Sequence, residues 1–143
     1  MRVSYGFAEA GYTTHGEKIP EVPIVSLVLR VDRLQARGPA IVDTGFDGGV
    51  YANIEIVKLF ADTKPSMISE FDIPVYGKCE FEVFTAQAFL QYKGKDFEIG
   101  EVRVYVPTEP EHLTGEVLVG REILNRFNEL LLNPKQRILS IEL

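Results

Sequence analysis

The residues best suited to chemistry lie in one short run, Ala40, Ile41, Val42, Asp43, Thr44, Gly45, Phe46 and Asp47. An apolar strand there ends on a carboxylate, followed at once by a hydroxyl and a glycine. The strand end can hold the acid rigidly, Thr44 can hydrogen-bond to neighbouring backbone, and Gly45 permits a sharp turn and close approach by another chain. A carboxylate so held can act as a general base on water. Two that share one proton can supply base and acid to the same water. Taken alone, Asp-Thr-Gly is also an ordinary turn after a strand, since Asp and Gly are common turn residues.

A second segment, Glu116-Val-Leu-Val-Gly120-Arg121-Glu122-Ile-Leu124, is another apolar strand that ends in glycine and runs directly into a helix. The two segments, in this order, resemble the paired motifs of retroviral and small prokaryotic retropepsin-like aspartic proteases, over roughly residues 23–143. The resemblance implies a mostly β fold, a closed β-barrel of the acid-protease half type with one or two short helices. It also implies an aspartic endopeptidase that needs no cofactor or metal.

Residue by residue, the resemblance makes Asp43 the catalytic aspartate and Thr44 and Gly45 the rest of the active-site loop. Gly120 becomes the glycine on the strand packed beneath that loop. Asp47 is implied as a substrate-facing acid, and Arg121 as the arginine that pairs with it. Phe46, standing where the retroviral enzymes have a small residue, is expected to face and narrow the substrate cleft. Tyr76 and Gly77, with Lys78, are expected at the tip of a β-hairpin flap over it. Residues 1–22 have no counterpart in the retroviral pattern and form an N-terminal extension or extra strand. The chain holds a single Asp-Thr-Gly, whereas the chemistry needs two carboxylates, so a homodimer with one Asp43 per chain on a two-fold axis is expected, acting on a peptide or protein substrate. A non-catalytic dimeric module for peptide binding or assembly on the same fold is the alternative, and a β-rich ligand-binding domain with Asp43 as a plain turn residue is a weaker third.

The elements that must position these residues are mainly strands. Val3, Tyr5 and Phe7 alternate with small residues, and residues 22–31 are rich in Val, Leu and Ile. Gly38-Pro39 punctuates the chain before a short strand at Ala40, Ile41 and Val42. Another strand begins at Phe81, Val83 and Phe84 and continues through Ala86, Ala88 and Leu90. A turn follows at residues 93–96, and then a strand carrying Phe97, Ile99, Val102, Val104 and Val106. Asn53 can cap a short helix, and residues 121–127 suggest a second. Leu130, Leu131 and Leu132 with residues 138–141 flank Asn133-Pro134 as a C-terminal hairpin. Residues 108–115 read as a surface loop, and Gly48-Gly49 as a bend after the active loop.

Composition sets the background. The 143 residues are 45% hydrophobic and 25% charged, which suits one globular domain over residues 1–143. The net charge of −6, with scattered Lys and Arg, argues against a nucleic-acid partner. A lone cysteine, Cys79, allows no internal disulfide and is expected to be a small packed residue. His15 and His112 lack neighbours at metal-ligand spacing and are expected on the surface. Neither a signal peptide nor a membrane span is recognisable, so a cytoplasmic protein is expected.

Overall fold

A computed structural model of the chain describes residues 1–73 and 77–143. It is mostly β, with ten strands and two short helices among the described residues. The N-terminal strand β1 (Arg2–Gly6) pairs antiparallel with β10 (Ile138–Glu142), which pairs with β9 (Glu129–Asn133). The C-terminal hairpin is therefore present, with β1 added as a third strand. Beyond β1, residues 7–23 fold back on themselves through isolated bridges, Ala8 to Val22 and Tyr12 to Lys18, and bond to the rest where Phe7 N–H meets Arg137 O at 2.9 Å and Val42 N–H meets Pro23 O at 3.0 Å.

The second sheet carries the site. Its strands are β2 (Ile24–Val31), β3 (Leu34–Val42), β4 (Val50–Tyr51), β5 (Met67–Ile73), β6 (Gly77–Tyr92), β7 (Lys95–Pro107) and β8 (Leu118–Val119). They lie in the order β2-β3-β8-β4-β7-β6-β5, and β2 also pairs with β6. That second pairing closes the sheet into a ring and leaves β5 as an added edge. Most pairs are antiparallel; β8 runs parallel to β3, and β4 parallel to β7.

Three expectations about elements need correction. Gly38-Pro39 does not interrupt a strand: β3 runs through it, with Pro39 opposite Ser26. Proline is tolerated there because β8 joins the other side of β3 only at Ile41 and Val42, so no ladder bond needs the missing N–H. The turn expected over residues 93–96 is tighter. Lys93 (φ 51°) and Gly94 (φ 76°) form a two-residue connection, and Lys95 and Asp96 already pair in the hairpin. The second helix, α2, spans only Arg121–Leu124, since Arg126 N–H and Phe127 N–H bond to carbonyls three residues back, at 3.0 and 3.3 Å. The first helix, α1 (Ile54–Val57), is capped as expected, with Asn53 Oδ1 accepting from Ile56 N–H at 3.0 Å.

Apolar side chains form two clusters. The larger is aliphatic and includes Val25, Leu27, Leu29, Val50, Val104 and Ile123. The smaller gathers Phe46, Tyr51, Phe81, Val83, Tyr105 and Cys79, with Phe71 and Leu118 against it. The long strand β6 serves both. Phe81 and Val83 face the aromatic cluster, and Phe84, Ala86, Ala88 and Leu90 face the aliphatic one, which explains the shift in parity after Val83. A bulge in β7 opposite Ala88 and Phe89 similarly shifts the register between Ile99 and Val102.

Candidate active site

Asp43 follows directly on β3 and is half-buried. Its N–H bonds to Val119 O at 2.9 Å, which extends the parallel pairing of β3 and β8 by one residue. Its Oδ1 accepts from Gly45 N–H at 2.9 Å, and its carbonyl accepts from Phe46 N–H at 3.2 Å. The carboxylate is thus held by its own loop at one oxygen. Thr44 beside it is exposed, and its hydroxyl has no hydrogen-bond partner among the described residues.

The loop is locked to the start of α2 by three backbone hydrogen bonds. Gly120 N–H bonds to Gly49 O at 2.7 Å, Arg121 N–H to Phe46 O at 3.0 Å, and Glu122 N–H to Gly48 O at 3.2 Å. The N–H groups that a helix start leaves unpaired are satisfied by carbonyls of residues 46–49. This close approach is why glycine recurs here. A Cβ on Gly120 would sit 2.6 Å from Phe46 O and from Phe46 Cδ2. One on Gly49 would meet Arg103 O at 2.5 Å, and one on Gly48 would meet the Phe46 and Tyr105 rings at 2.7 Å.

Phe46 turns its ring down into the aromatic cluster and is only 7% exposed. Its ring centroid lies 5.6 Å from that of Tyr51, 5.8 Å from Tyr105 and 6.1 Å from Phe71, all near edge-to-face. Tyr105 donates to Glu122 Oε2 at 2.7 Å, tying the cluster to α2. Burial, and then that hydrogen bond, push the Tyr105 phenol up to about 12. Asp47 and Arg121 form the expected ion pair, through Nη2 and Oδ1. Both side chains are half exposed (51% each), and one oxygen meets one nitrogen, so the contact is a singly bonded surface pair.

A cavity of about 270 Å³ opens beside Asp43. The loop side contributes Gly45, Phe46 and Asp47, and the floor includes Tyr51 and Leu118. Strand β5 lines it with Phe71 and Asp72, and the segment before β8 with Thr114 and Glu116. Gly77 opens β6 opposite Ile73, with φ 73°, a conformation suited to glycine. Tyr76 lies outside the described residues. Phe71, Asp72, Thr114, Glu116 and Leu118 were missed as lining residues by sequence reasoning. They sit in separate elements, and only the folded hairpin and loop bring them to Asp43.

The expectation of a surface histidine fails for His112, which is 8% exposed. Its Nδ1 lies 3.3 Å from Cys79 Sγ, its carbonyl accepts from Tyr51 Oη at 2.5 Å, and its Nε2 is 3.8 Å from Glu109. The fold carries residues 110–112, a single 3₁₀ turn, back against β6, and local polarity hid this. Cys79 is packed as expected, and burial pushes its thiol up. Ligand atoms of Glu109, Glu111 and His112 lie within 4.8 Å of one another, the group among the described residues that could hold a metal. No helix among the described residues is long and apolar enough to cross a membrane.

No family model and no curated protein matches the chain. Solved structures do. The chain is similar to a retropepsin-like aspartic protease from Rickettsia conorii, with a TM-score of 0.56 at 12% identity over 98% of both chains. The EIAV protease complexed with the inhibitor HBY-793 also matches, with a TM-score of 0.39 at 17% identity over 73% of this chain and 86% of that one. The chain has a retropepsin-like fold. The first match reaches into residues 1–22, so this segment, without counterpart in the retroviral pattern, has one in the Rickettsia structure.

Proposed function

We propose that two copies of this chain form a symmetric aspartic endopeptidase, in which the two Asp43 carboxylates share one proton around one water. The observation that carries the reading is the setting of Asp43. It stands at a strand end on a loop fixed by backbone bonds to residues 119–122, at the edge of a cavity lined also by Phe71, Asp72 and Leu118. The retropepsin-like fold supports the same reading. A plain turn residue would need neither the glycine-tight support nor the cavity.

Two close carboxylates do not both ionise readily, so one proton is retained between them, as is general for aspartic proteases. The ionised Asp43 takes a proton from water as its oxygen attacks the peptide carbonyl carbon. The protonated Asp43 hydrogen-bonds the carbonyl oxygen as charge develops there. A proton then passes to the amide nitrogen, the C–N bond breaks, and the pair returns to its singly protonated state. Thr44, exposed beside the acid, is available to a second copy of the loop. In this reading Asp47, Phe46, Tyr76 and Gly77 border the substrate.

The test is cleavage of a broad peptide library by the purified chain and by Asp43→Asn, which removes the ionisable group and keeps the shape. Cleavage should disappear in the variant while fold and dimer persist, and excess variant mixed with wild type should suppress activity through mixed dimers. A clean Asp43→Asn preparation that still cleaves, or a fully active monomer in sedimentation, would end the proposal.

A further inference from the structure

The cavity beside Asp43 has two kinds of wall. Its apolar wall comes from Phe46, Phe71 and Leu118. Its polar wall is acidic: four carboxylates line it, Asp43, Asp47, Asp72 and Glu116, and among the described residues lining it there is no lysine or arginine. Asp47 is already matched by Arg121. Asp72 and Glu116 are exposed and make no ion pair among the described residues. Asp72 stands opposite Lys78 in the β5–β6 ladder, but Lys78 Nζ lies 3.6 Å from Glu70 instead.

The two uncompensated carboxylates come from separate elements, one on β5 and one on the loop before β8. Both line the cavity that Phe71 and Leu118 also line. An occupant that satisfies both walls has a long aliphatic stem and a cationic end. The stem replaces water on Phe71 and Leu118, and the cation meets Asp72 and Glu116. A wholly apolar side chain would leave the acidic rim facing its end, and an acidic one would be repelled. The cavity begins at Asp43, so the side chain filling it belongs to a residue at or next to the cleaved bond.

We infer that this cavity is a substrate subsite selecting lysine or arginine beside the cleaved bond, with Asp72 and Glu116 as the specificity-determining residues. The inference rests on the endopeptidase reading and adds a substrate class to it. It is tested with peptides that differ only in the residue beside the cleaved bond: Arg, Lys, Leu, Phe or Glu. The Arg and Lys peptides should exceed the Leu peptide in kcat/KM by about tenfold at low salt, the size expected of two exposed ion pairs, and the Glu peptide should be poorest. Added salt should narrow the preference. In the double variant Asp72→Asn, Glu116→Gln the Arg-to-Leu ratio should fall to about one. A wild type that prefers Leu or Phe, or a preference that survives the double variant, overturns the assignment. If no peptide is cleaved, fluorescence anisotropy of the labelled Arg and Leu peptides on the wild-type chain separates the two ideas. Tighter Arg binding keeps the subsite and discards the hydrolysis, whereas equal affinities discard the subsite.

Discussion

Strands β4 and β7 divide the interior into two unlike regions. Val50 and Val104 point into the aliphatic cluster, and their neighbours Tyr51 and Tyr105 point into the aromatic one. The aliphatic region is filled mainly by Val, Leu, Ile and Ala, with the stacked rings of Phe60 and Phe84 among them, and its contacts are many and individually replaceable. The region beneath Asp43 is built from a few large rings, with glycine backbones pressed against them. Rings have few rotamers and fixed edges, so a loop resting on them is positioned within narrow limits. The contrast teaches that stability and site geometry have partly separate sources here. The aliphatic region can hold the fold, and the aromatic one must hold a shape.

The sharpest way to break this comparison is to alter one glycine in each setting. Gly120→Ala drives a Cβ into Phe46 and the loop carbonyls, whereas a Cβ at Gly38, in β3, meets nothing within 4 Å. Peptidase activity of Gly120→Ala should fall by about a hundredfold or more, the scale of a displacement of about 1 Å at a reacting group. Gly38→Ala should stay near wild type. Equal activities for the two variants would contradict the role given to close packing under the loop.

Ring and aliphatic truncations come next. Phe46→Ala should lower stability by about 3–5 kcal/mol and Leu29→Ala by about 2–5 kcal/mol in denaturant titrations. Their activities per folded molecule should diverge, with Leu29→Ala close to wild type and Phe46→Ala strongly reduced. If Leu29→Ala loses as much activity as Phe46→Ala, the two regions are not separable.

The charge pairs give smaller effects. Asp47 with Arg121 is half exposed and singly bonded, so Arg121→Lys should cost about 0–1 kcal/mol of stability, and a double-mutant cycle with Asp47→Asn should return a coupling of similar size. A coupling of several kcal/mol would show a buried, two-pronged pair.

The smallest effect lies away from both clusters. Arg37 bonds Asp96 at 2.8 and 3.0 Å and, with Arg30 nearby, holds that carboxyl below its ordinary value. A carboxyl depressed in the folded state adds stability above its unfolded pKa and loses it as pH falls through the folded one. Asp96→Asn should therefore remove a small part of the acid-side loss of stability in melts run from neutral to low pH. The pH profile of cleavage should be unmoved, and a shifted profile would tie Asp96 to the site.

How much could be read beforehand depends on the range of the interactions involved. Asn53 as a cap, the hairpin around Asn133 and Pro134, and most strands were legible because caps, turns and alternation act within a few residues. Asp43, Gly120 and the Asp47–Arg121 pairing were legible because two local motifs recur together. Pro39 inside a strand was not, since its tolerance depends on where the neighbouring β8 stops. His112 was misplaced for a similar reason, as its polar neighbours say nothing about Cys79 thirty-three residues away.

By itself the sequence determined which residues could do chemistry and what kind: one carboxylate on a glycine turn, and a glycine-to-helix step able to support it. Only the tertiary structure decided what surrounds them. Closing the ring through β2 and β6 places the β5–β6 hairpin and residues 114–116 against the loop, and with them Phe71, Asp72 and Glu116. No local pattern specifies that convergence, because it follows from strand pairings between residues far apart in the chain. The same pairings place the Phe46 ring, which also lines the cavity, among the aromatic rings on which the candidate active loop rests.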